Sequence, residues 1–201
     1  MTRIKVCGIT RIQDGLAAAA AGADAIGLVF VERSPRCVDI ERAREICRAL
    51  PPFVGRVGLF MNATDKKVFG VLDRVPLDWL QFHGQERAEF CRQFGLPWIK
   101  AIAMGDGDPP DATAFESADA LLLDSHGGNS MGGSGETFDW SRVPKLPRPW
   151  ILAGGLGPEN VGQACRQLRP DAVDVSSGVE VRPGVKSDKL MDQFIKAVKH
   201  G

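Results

Sequence analysis

The sequence has no excess of charge of either sign, because 25 Lys and Arg residues balance 25 Asp and Glu residues over 201 positions. Without an overall field, the chain has no general attraction for nucleic acid or for a membrane surface, and an anion must be bound by a local arrangement. Hydrophobic residues make up 44% of the chain, enough for one sizeable core. We therefore expect a globular protein with a small-molecule ligand.

Disulfide, zinc-binding, export and membrane signals are also missing. The 5 cysteines are odd in number and never spaced C-x-x-C, which argues against a disulfide framework and a zinc site. The first residues, MTRIKVCGIT, lack the apolar region of a signal peptide. The most apolar stretch, AAAAAGADAIGLVFV, is interrupted by Asp24. We expect a cytoplasmic protein without a metal.

No Pro- or Ser-rich linker divides the chain, and short apolar runs alternate with helical segments throughout. The runs predict eight strands at 4–7, 24–30, 54–60, 77–82, 97–103, 119–124, 150–155 and 171–177. Eight strand-then-helix units with continuous apolar strands are typical of a parallel sheet closed into a TIM barrel. The prediction is one α/β domain over 1–201, a compact single-domain (β/α)8 barrel.

Helices are predicted between most of these strands. They cover 13–22, 39–50, a segment after Thr64, 85–94, 158–168 and 188–199. Asp39 is a suitable N-cap, Pro158 suits a first helical position, and Gly22 suits a C-terminal stop. The segments after strands five and six, TAFESA and FDWSRV, are short or weakly helical. We expect a barrel with shortened helical segments at these two places.

Chemically useful side chains fall at the predicted carboxyl ends of the strands. Cys7 ends the first strand, His83 ends the fourth, and Asp124 follows three leucines at the end of the sixth. Small residues end the last two strands: Gly154, Gly155, Ser176, Ser177 and Gly178. Because reactive groups in this fold gather at the carboxyl ends of the strands, these residues predict a single site.

Seven motifs in one order resemble those of the phosphoribosylanthranilate isomerase family: KVCGITR, ERSPRCV, LQFHG, LLLD, GGSGETFDW, LAGGLGPENV and DVSSGVEVRPG. The resemblance covers nearly the whole chain. It implies the Amadori rearrangement of N-(5-phosphoribosyl)anthranilate to 1-(2-carboxyphenylamino)-1-deoxyribulose 5-phosphate in tryptophan biosynthesis. It also implies that no metal or organic cofactor is needed, because the iminium of the substrate itself accepts the electrons.

The resemblance implies a role for each of three side chains. Asp124 would be the general acid and Cys7 the general base, while Arg36 would hold the anthranilate carboxylate through its planar fork. A thiol can act as a base only if it is partly ionised. The apolar approach to Asp124 would favour its protonated form. His83 is expected to line the substrate pocket; a rim histidine without a role is the alternative, as a solvated surface arginine is for Arg36.

The phosphate is expected at the glycine-rich turns AGGLGP and SSGVE, where backbone N–H groups can approach an anion. A short helix after strand eight would aim its N-terminus at the same place. The assigned residues are Gly154, Gly155, Ser176, Ser177 and Gly178. Three further glycines, Gly132, Gly133 and Gly135, are expected in a loop near the substrate. Such loops are also often only tight turns.

Lys5 lies two residues before Cys7 on the first strand, so both side chains should point into the barrel, roughly 6.6 Å apart. A lysine in that interior needs a partner, and Asp174 on the eighth strand is the candidate. If the pair forms, it neutralises much of the positive field that would otherwise lower the pKa of the thiol.

Other interpretations remain at this stage. A lone strand cysteine is more often buried structure than chemistry. A sugar-phosphate isomerase of histidine biosynthesis shares the chemistry and the fold, but we expect an aspartate at the first strand end and two similar halves there. A barrel that only binds a sugar phosphate is a third possibility. No exposed apolar stripe stands out, so we expect a monomer.

Overall fold

The computed structural model describes residues 1–105, 112–125, 139–144, 146 and 148–201. Eight parallel strands form a closed barrel in chain order, and β1 pairs with both β2 and β8 to close it. The strands are β1 Arg3–Cys7, β2 Ala25–Val29, β3 Gly55–Phe60, β4 Trp79–Phe82, β5 Trp98–Ala103, β6 Ala120–Asp124, β7 Trp150–Leu152 and β8 Ala172–Val175. The predicted (β/α)8 barrel is confirmed.

The last two barrel strands end earlier than predicted. Gly154 and Gly155 have φ values of 83° and 61°, which no strand residue adopts, so β7 stops before them. Ser177 begins a single 3₁₀ turn, Ser177–Val179, in place of the predicted short helix after strand eight. These residues therefore lie in the loops that follow the strands, on the rim of the barrel.

In the described part of the chain, six α-helices lie on the outside of the barrel: α1 Ile12–Ala21, α2 Ile40–Ala49, α3 Asp65–Leu72, α4 Ala88–Arg92, α5 Val161–Leu168 and α6 Asp188–His200. The predicted caps form at α1 and α2. Gly22 ends α1 with a φ of 103°, and the side chain of Asp39 accepts a hydrogen bond from Arg42 N. α5 begins at Val161 rather than at Pro158, because Asn160 occupies the N-cap position.

The segments after strands five and six, which were predicted to be shortened, contain short helices in the part of the chain that the structure describes. They are 3₁₀ helices, Ala112–Phe115 and Trp140–Arg142. The helix after strand four is also shorter than predicted. Glu86 turns inward, where its carboxylate lies 3.0 Å from Lys100 Nζ and accepts a hydrogen bond from Asn62 N, so the helical segment begins only at Ala88.

Two apolar layers hold the barrel together. The inner layer contains Val57, Ile99, Ala101, Ala120, Leu122, Ile151 and Ala153. The outer layer lies between the strands and the helices and includes a series of aromatic side chains: Phe30, Phe60, Phe82 and Trp98. Their burial stabilises the scaffold that holds the strand ends in place.

A two-stranded antiparallel hairpin follows the 3₁₀ turn after β8. Its strands are β9 Glu180–Arg182 and β10 Val185–Lys186, and they belong to a separate small sheet. The sequence patterns did not predict this hairpin. Gly184, with a φ of 77°, makes its turn.

The described helices include none with both the length and the apolar run that a bilayer crossing requires.

Candidate active site

A single pocket at the carboxyl ends of the strands contains eight of the nine predicted site residues: Cys7, Arg36, His83, Asp124, Gly154, Gly155, Ser176 and Ser177. The thiol and the carboxyl group, far apart in the sequence, therefore face one cavity. Gly178 is not part of the lining. It packs against the carbonyl oxygen of Leu156, which itself lines the pocket, so Gly178 supports the wall from behind.

Cys7 is the last residue of β1 and is 5% exposed. Gly27, its neighbour on β2, leaves room for the sulfur, since a Cβ there would lie 2.7 Å from Sγ. Burial raises the pKa of the Cys7 thiol and the Asp174 carboxylate adds to the increase, while the nearby charges of Lys5 and Lys186 act in the opposite direction. The thiol of the ligand-free protein is therefore largely protonated at neutral pH, and these two lysines favour the thiolate.

Asp124 is the last residue of β6 and is 7% exposed. His83 Nε2 lies 3.3 Å from its Oδ2, and Ser125 Oγ lies 3.4 Å from its Oδ1. Although the distance suits an ion pair, His83 Nε2 forms no hydrogen bond of acceptable angle within the described part of the chain. The carboxyl group thus has an imidazole and a hydroxyl beside it, both able to donate to it when it is ionised.

Gln81 is a pocket residue that the sequence analysis missed. It lies on β4, two positions before His83, and is 1% exposed. Its Nε2 lies 3.4 Å from His83 Nδ1. Its Oε1 has no hydrogen-bond partner among the described residues. Because a buried acceptor without a partner is costly, this oxygen is suited to accept a hydrogen bond from a ligand. The two-residue spacing in LQFHG was the signal that places Gln81 and His83 on one face.

Arg36 is buried, not solvated, so the surface-arginine alternative is wrong. Its Nε and Nη2 donate to the two carboxylate oxygens of Glu180 at 2.9 and 2.7 Å. Glu180 was missed by the sequence analysis. Its partner lies 144 residues earlier in the chain, and no local pattern indicates the pairing.

The loop after β7 is held in a conformation that requires glycine. A Cβ on Gly154 would collide with the backbone nitrogen and Oγ of Ser125, and its φ of 83° is strained for other residues. Asn160 fixes the same loop, because its Nδ2 donates to Gly155 O and its Oδ1 accepts from Gly157 N, both at 2.9 Å. Gly132, Gly133 and Gly135, predicted for a loop near the substrate, lie outside the described residues.

Replacing Gly154 by alanine tests this loop. We expect Gly154→Ala to destabilise the protein by about 1–3 kcal/mol through backbone strain, and to raise the KM of the reaction that the motif resemblance implies, because the loop is displaced from the pocket. Gly70→Ala is the matched control. A Cβ added to Gly70 in α3 would meet nothing within 4 Å beyond the backbone of its own helix, so alanine should stabilise the helix by about 0.5–1 kcal/mol. Urea unfolding and steady-state kinetics give both quantities, and an unchanged KM in Gly154→Ala would contradict the prediction.

Lys5 and Asp174 form the predicted ion pair inside the barrel. The two residues are register partners on β1 and β8, and Nζ lies 2.8 Å from Oδ1. Burial alone would lower the pKa of Lys5, but the Asp174 carboxylate and Cys7 together outweigh it and the pKa is raised. Burial raises the pKa of Asp174, against the pull of Lys5. Because the geometry is that of an ion pair, we assign the charged form to both groups at neutral pH.

Removing the lysine should leave a buried carboxylate without its cation. We expect Lys5→Met to lose about 3–5 kcal/mol of stability at neutral pH. The loss should be smaller at acidic pH: a carboxyl group whose folded-state pKa is raised binds its proton more tightly when folded, so it costs stability as pH rises above its unfolded pKa. Urea unfolding at two pH values measures this. The double variant Lys5→Met/Asp174→Leu should recover most of the loss, and equal stability of Lys5→Met and wild type at both pH values would contradict the assignment.

The described residues contain no group of three or more His, Cys, Asp or Glu side chains placed to hold a metal ion.

The fold and the pocket together are those of a (β/α)8-barrel enzyme with its site at the carboxyl ends of the strands. The family model of N-(5'-phosphoribosyl)anthranilate (PRA) isomerase matches residues 4–197 of the chain. The chain belongs to this family. The motif resemblance is thereby confirmed, and the histidine-biosynthesis alternative is set aside.

Similar proteins agree with this assignment. An N-(5'-phosphoribosyl)anthranilate isomerase of Pseudomonas aeruginosa is 56% identical over 200 residues, covering 98% of this chain and 95% of its own length. A phosphoribosyl anthranilate isomerase crystal structure from Thermotoga maritima has a TM-score of 0.85 and 43% identity, with 99% of both chains covered. Another structure of such an isomerase, with a TM-score of 0.80, 40% identity and 99% of both chains covered, is a complex with reduced 1-(o-carboxyphenylamino)-1-deoxyribulose 5-phosphate.

Proposed function

We propose that this chain converts N-(5-phosphoribosyl)anthranilate into 1-(2-carboxyphenylamino)-1-deoxyribulose 5-phosphate, the isomerisation of tryptophan biosynthesis, with Asp124 as general acid and Cys7 as general base. The observation that carries the proposal is that both side chains line one pocket at the carboxyl ends of the strands. The relative with a bound reduced aminodeoxyribulose phosphate supports it, because that ligand carries the carboxyl and phosphate groups of the product.

The first step opens the ribose ring. Asp124 gives its proton to the ring oxygen, the bond from C1 to that oxygen breaks, and the nitrogen lone pair forms an iminium with C1. Asp124 is left as a carboxylate. His83 Nε2 at 3.3 Å and Ser125 Oγ at 3.4 Å are placed to stabilise the new charge.

The second step moves a proton from carbon to the base. The Cys7 thiolate removes the proton from C2, and the electron pair of that bond neutralises the iminium to give an enolamine. Tautomerisation then moves the proton of the C2 hydroxyl group to C1, which gives the C2 ketone and a C1 methylene, so that substrate and product are isomers. The Cys7 thiol gives up the proton it took and Asp124 regains one through solvent, which restores the starting state of both groups. Because the iminium accepts the electrons, this route uses no cofactor. Lys5 and Lys186 favour the thiolate that the step requires.

Two groups of residues hold the ends of the substrate in this proposal. Arg36 binds the anthranilate carboxylate with the part of its guanidinium that Glu180 does not use. The phosphate binds at the rim formed by Gly154, Gly155, Ser176 and Ser177, with Gly178 behind it. His83 lines the pocket between them. We further propose that the protein works as a cytoplasmic monomer on this phosphorylated small molecule.

The test is the loss of anthranilate-type fluorescence from freshly prepared substrate when purified protein is added. Turnover by the wild type, and none by heat-denatured protein, is the expected result. A folded wild type that binds the reduced product analogue without turning over substrate would favour the binding-only alternative and overturn the proposal.

A further inference from the structure

The hairpin after β8 carries two buried charges of opposite sign. The side chains of Glu180 and Lys186 are 4% and 0% exposed, although the tip of the hairpin is open to solvent. Burying charges costs free energy unless each is well paired. The arrangement therefore needs an explanation beyond the closing of a surface turn.

Glu180 is surrounded by donors. Its Oε1 accepts from Arg36 Nε at 2.9 Å, Lys186 Nζ at 2.8 Å and Gly184 N at 3.2 Å, and its Oε2 accepts from Arg36 Nη2 at 2.7 Å. Burial would raise the pKa of Glu180, but the hydrogen bonds from Arg36 and Lys186 outweigh it and the pKa is lowered. The carboxylate is thus ionised and fixed from several directions.

These contacts fix the orientation of Arg36. A guanidinium has five N–H groups in a rigid plane, and Glu180 uses one on Nε and one on Nη2. Within the described part of the chain, its remaining N–H groups make no hydrogen bond, and Arg36 lines the pocket that contains Cys7. The Arg36 side chain also packs closely against Gly8, since a Cβ on Gly8 would lie 2.5 Å from Arg36 Cδ.

The hairpin is tied to both neighbouring strand ends. Lys186 Nζ donates to Ser176 O at 3.0 Å, directly after β8, and Lys186 N donates to Asp14 Oδ2 at 3.1 Å. Thr10, in the loop after Cys7, donates to Gly184 O at 2.5 Å. The hairpin is therefore held against the loop that follows the thiol and the loop that carries part of the phosphate rim.

The cluster of Arg36, Glu180 and Lys186 has two positive charges and one negative charge. One positive charge is left over at the pocket wall, and an anion bound there would balance it. The remaining positive charge therefore favours the binding of a substrate carboxylate over that of a neutral group at this place.

We propose that Glu180 is a positioning residue of the isomerase: it holds Arg36 so that the free side of the guanidinium faces the carboxylate of the substrate, and Lys186 holds Glu180 in turn. The proposal rests on the proposed function, in which Arg36 binds that carboxylate. Glu180 itself does not take part in the proton transfers.

Glu180→Gln tests the proposal, since it keeps the shape and removes the charge. We expect KM to rise about 10- to 100-fold, the effect of weakening a charged hydrogen-bonded anchor, with a much smaller change in kcat because Cys7 and Asp124 are untouched. Glu45→Gln, at an exposed position on α2 that pairs with Arg42, is the matched control and should leave both constants unchanged.

Binding of two ligands separates positioning from general damage. The reduced product analogue should bind Glu180→Gln more weakly by the same factor as KM, whereas the same compound without its ring carboxyl group should bind wild type and variant equally. Equal weakening of both ligands, or an unchanged KM, would overturn the proposal. In an Arg36→Met background, Glu180→Gln should have no further effect on KM.

Glu180→Asp keeps the proposal testable if the glutamine variant does not fold. It retains the charge but shortens the reach to Arg36, so KM should rise by a smaller factor, and an unchanged KM would again overturn the assignment. The wild-type assay separates the two proposals: an inactive wild type contradicts the function, while an active wild type with unaffected Glu180 variants contradicts only the positioning role.

Discussion

Cys7→Ala should reduce kcat by about 10²- to 10⁴-fold, the usual contribution of one general base. The thiolate is the group that removes the C2 proton in the proposed reaction, and within the described part of the pocket wall Cys7 is the only cysteine. Substrate binding should change little, because the alanine variant keeps Arg36 and the phosphate rim. Stopped-flow or steady-state fluorescence assays give kcat, and the Kd of the reduced product analogue shows whether the variant keeps its affinity for the ligand.

A matched cysteine variant separates chemistry from packing. Cys165→Ala removes a buried thiol on α5, where the side chain is 7% exposed, so it should lower stability slightly and leave kcat unchanged. If Cys7→Ala kept more than about a tenth of wild-type kcat, a loss smaller than a general base usually supplies, Cys7 would be a structural residue and the proposed base would be wrong.

The parts of the site that were predictable from the sequence are those fixed by strand geometry. Cys7, His83 and Asp124 each end or follow an apolar run, and parallel strands in a closed barrel bring such ends together. Lys5 was likewise assigned to Asp174 from the two-residue period of strands and the closing of β8 on β1. In these cases, one rule about strands links the local pattern to the three-dimensional position.

The parts that were not predictable depend on contacts between loops. Glu180 reaches Arg36 only after the hairpin folds back, and Glu86 reaches Lys100 only after the loop following β4 turns inward. Neither pairing has a period or a spacing in the sequence. The same limit explains the end of β7, because Gly154 adopts a left-handed conformation in close contact with Ser125, and no local strand signal indicates that contact.

Asp124→Asn should reduce kcat by about 10²- to 10⁴-fold, because the amide keeps the shape of the side chain but cannot give up an acidic proton to the ring oxygen. The product analogue should still bind, since its ring is already open and needs no acid. Asp192→Asn, on α6 and paired with Lys196 at the surface, is the control and should leave kcat unchanged. The double variant Cys7→Ala/Asp124→Asn should be scarcely slower than the slower single variant, since each group serves its own step, the slower step sets kcat, and the two losses are not additive. An asparagine variant with near wild-type kcat would show that ring opening does not depend on Asp124, and the acid would have to be sought elsewhere on the pocket wall.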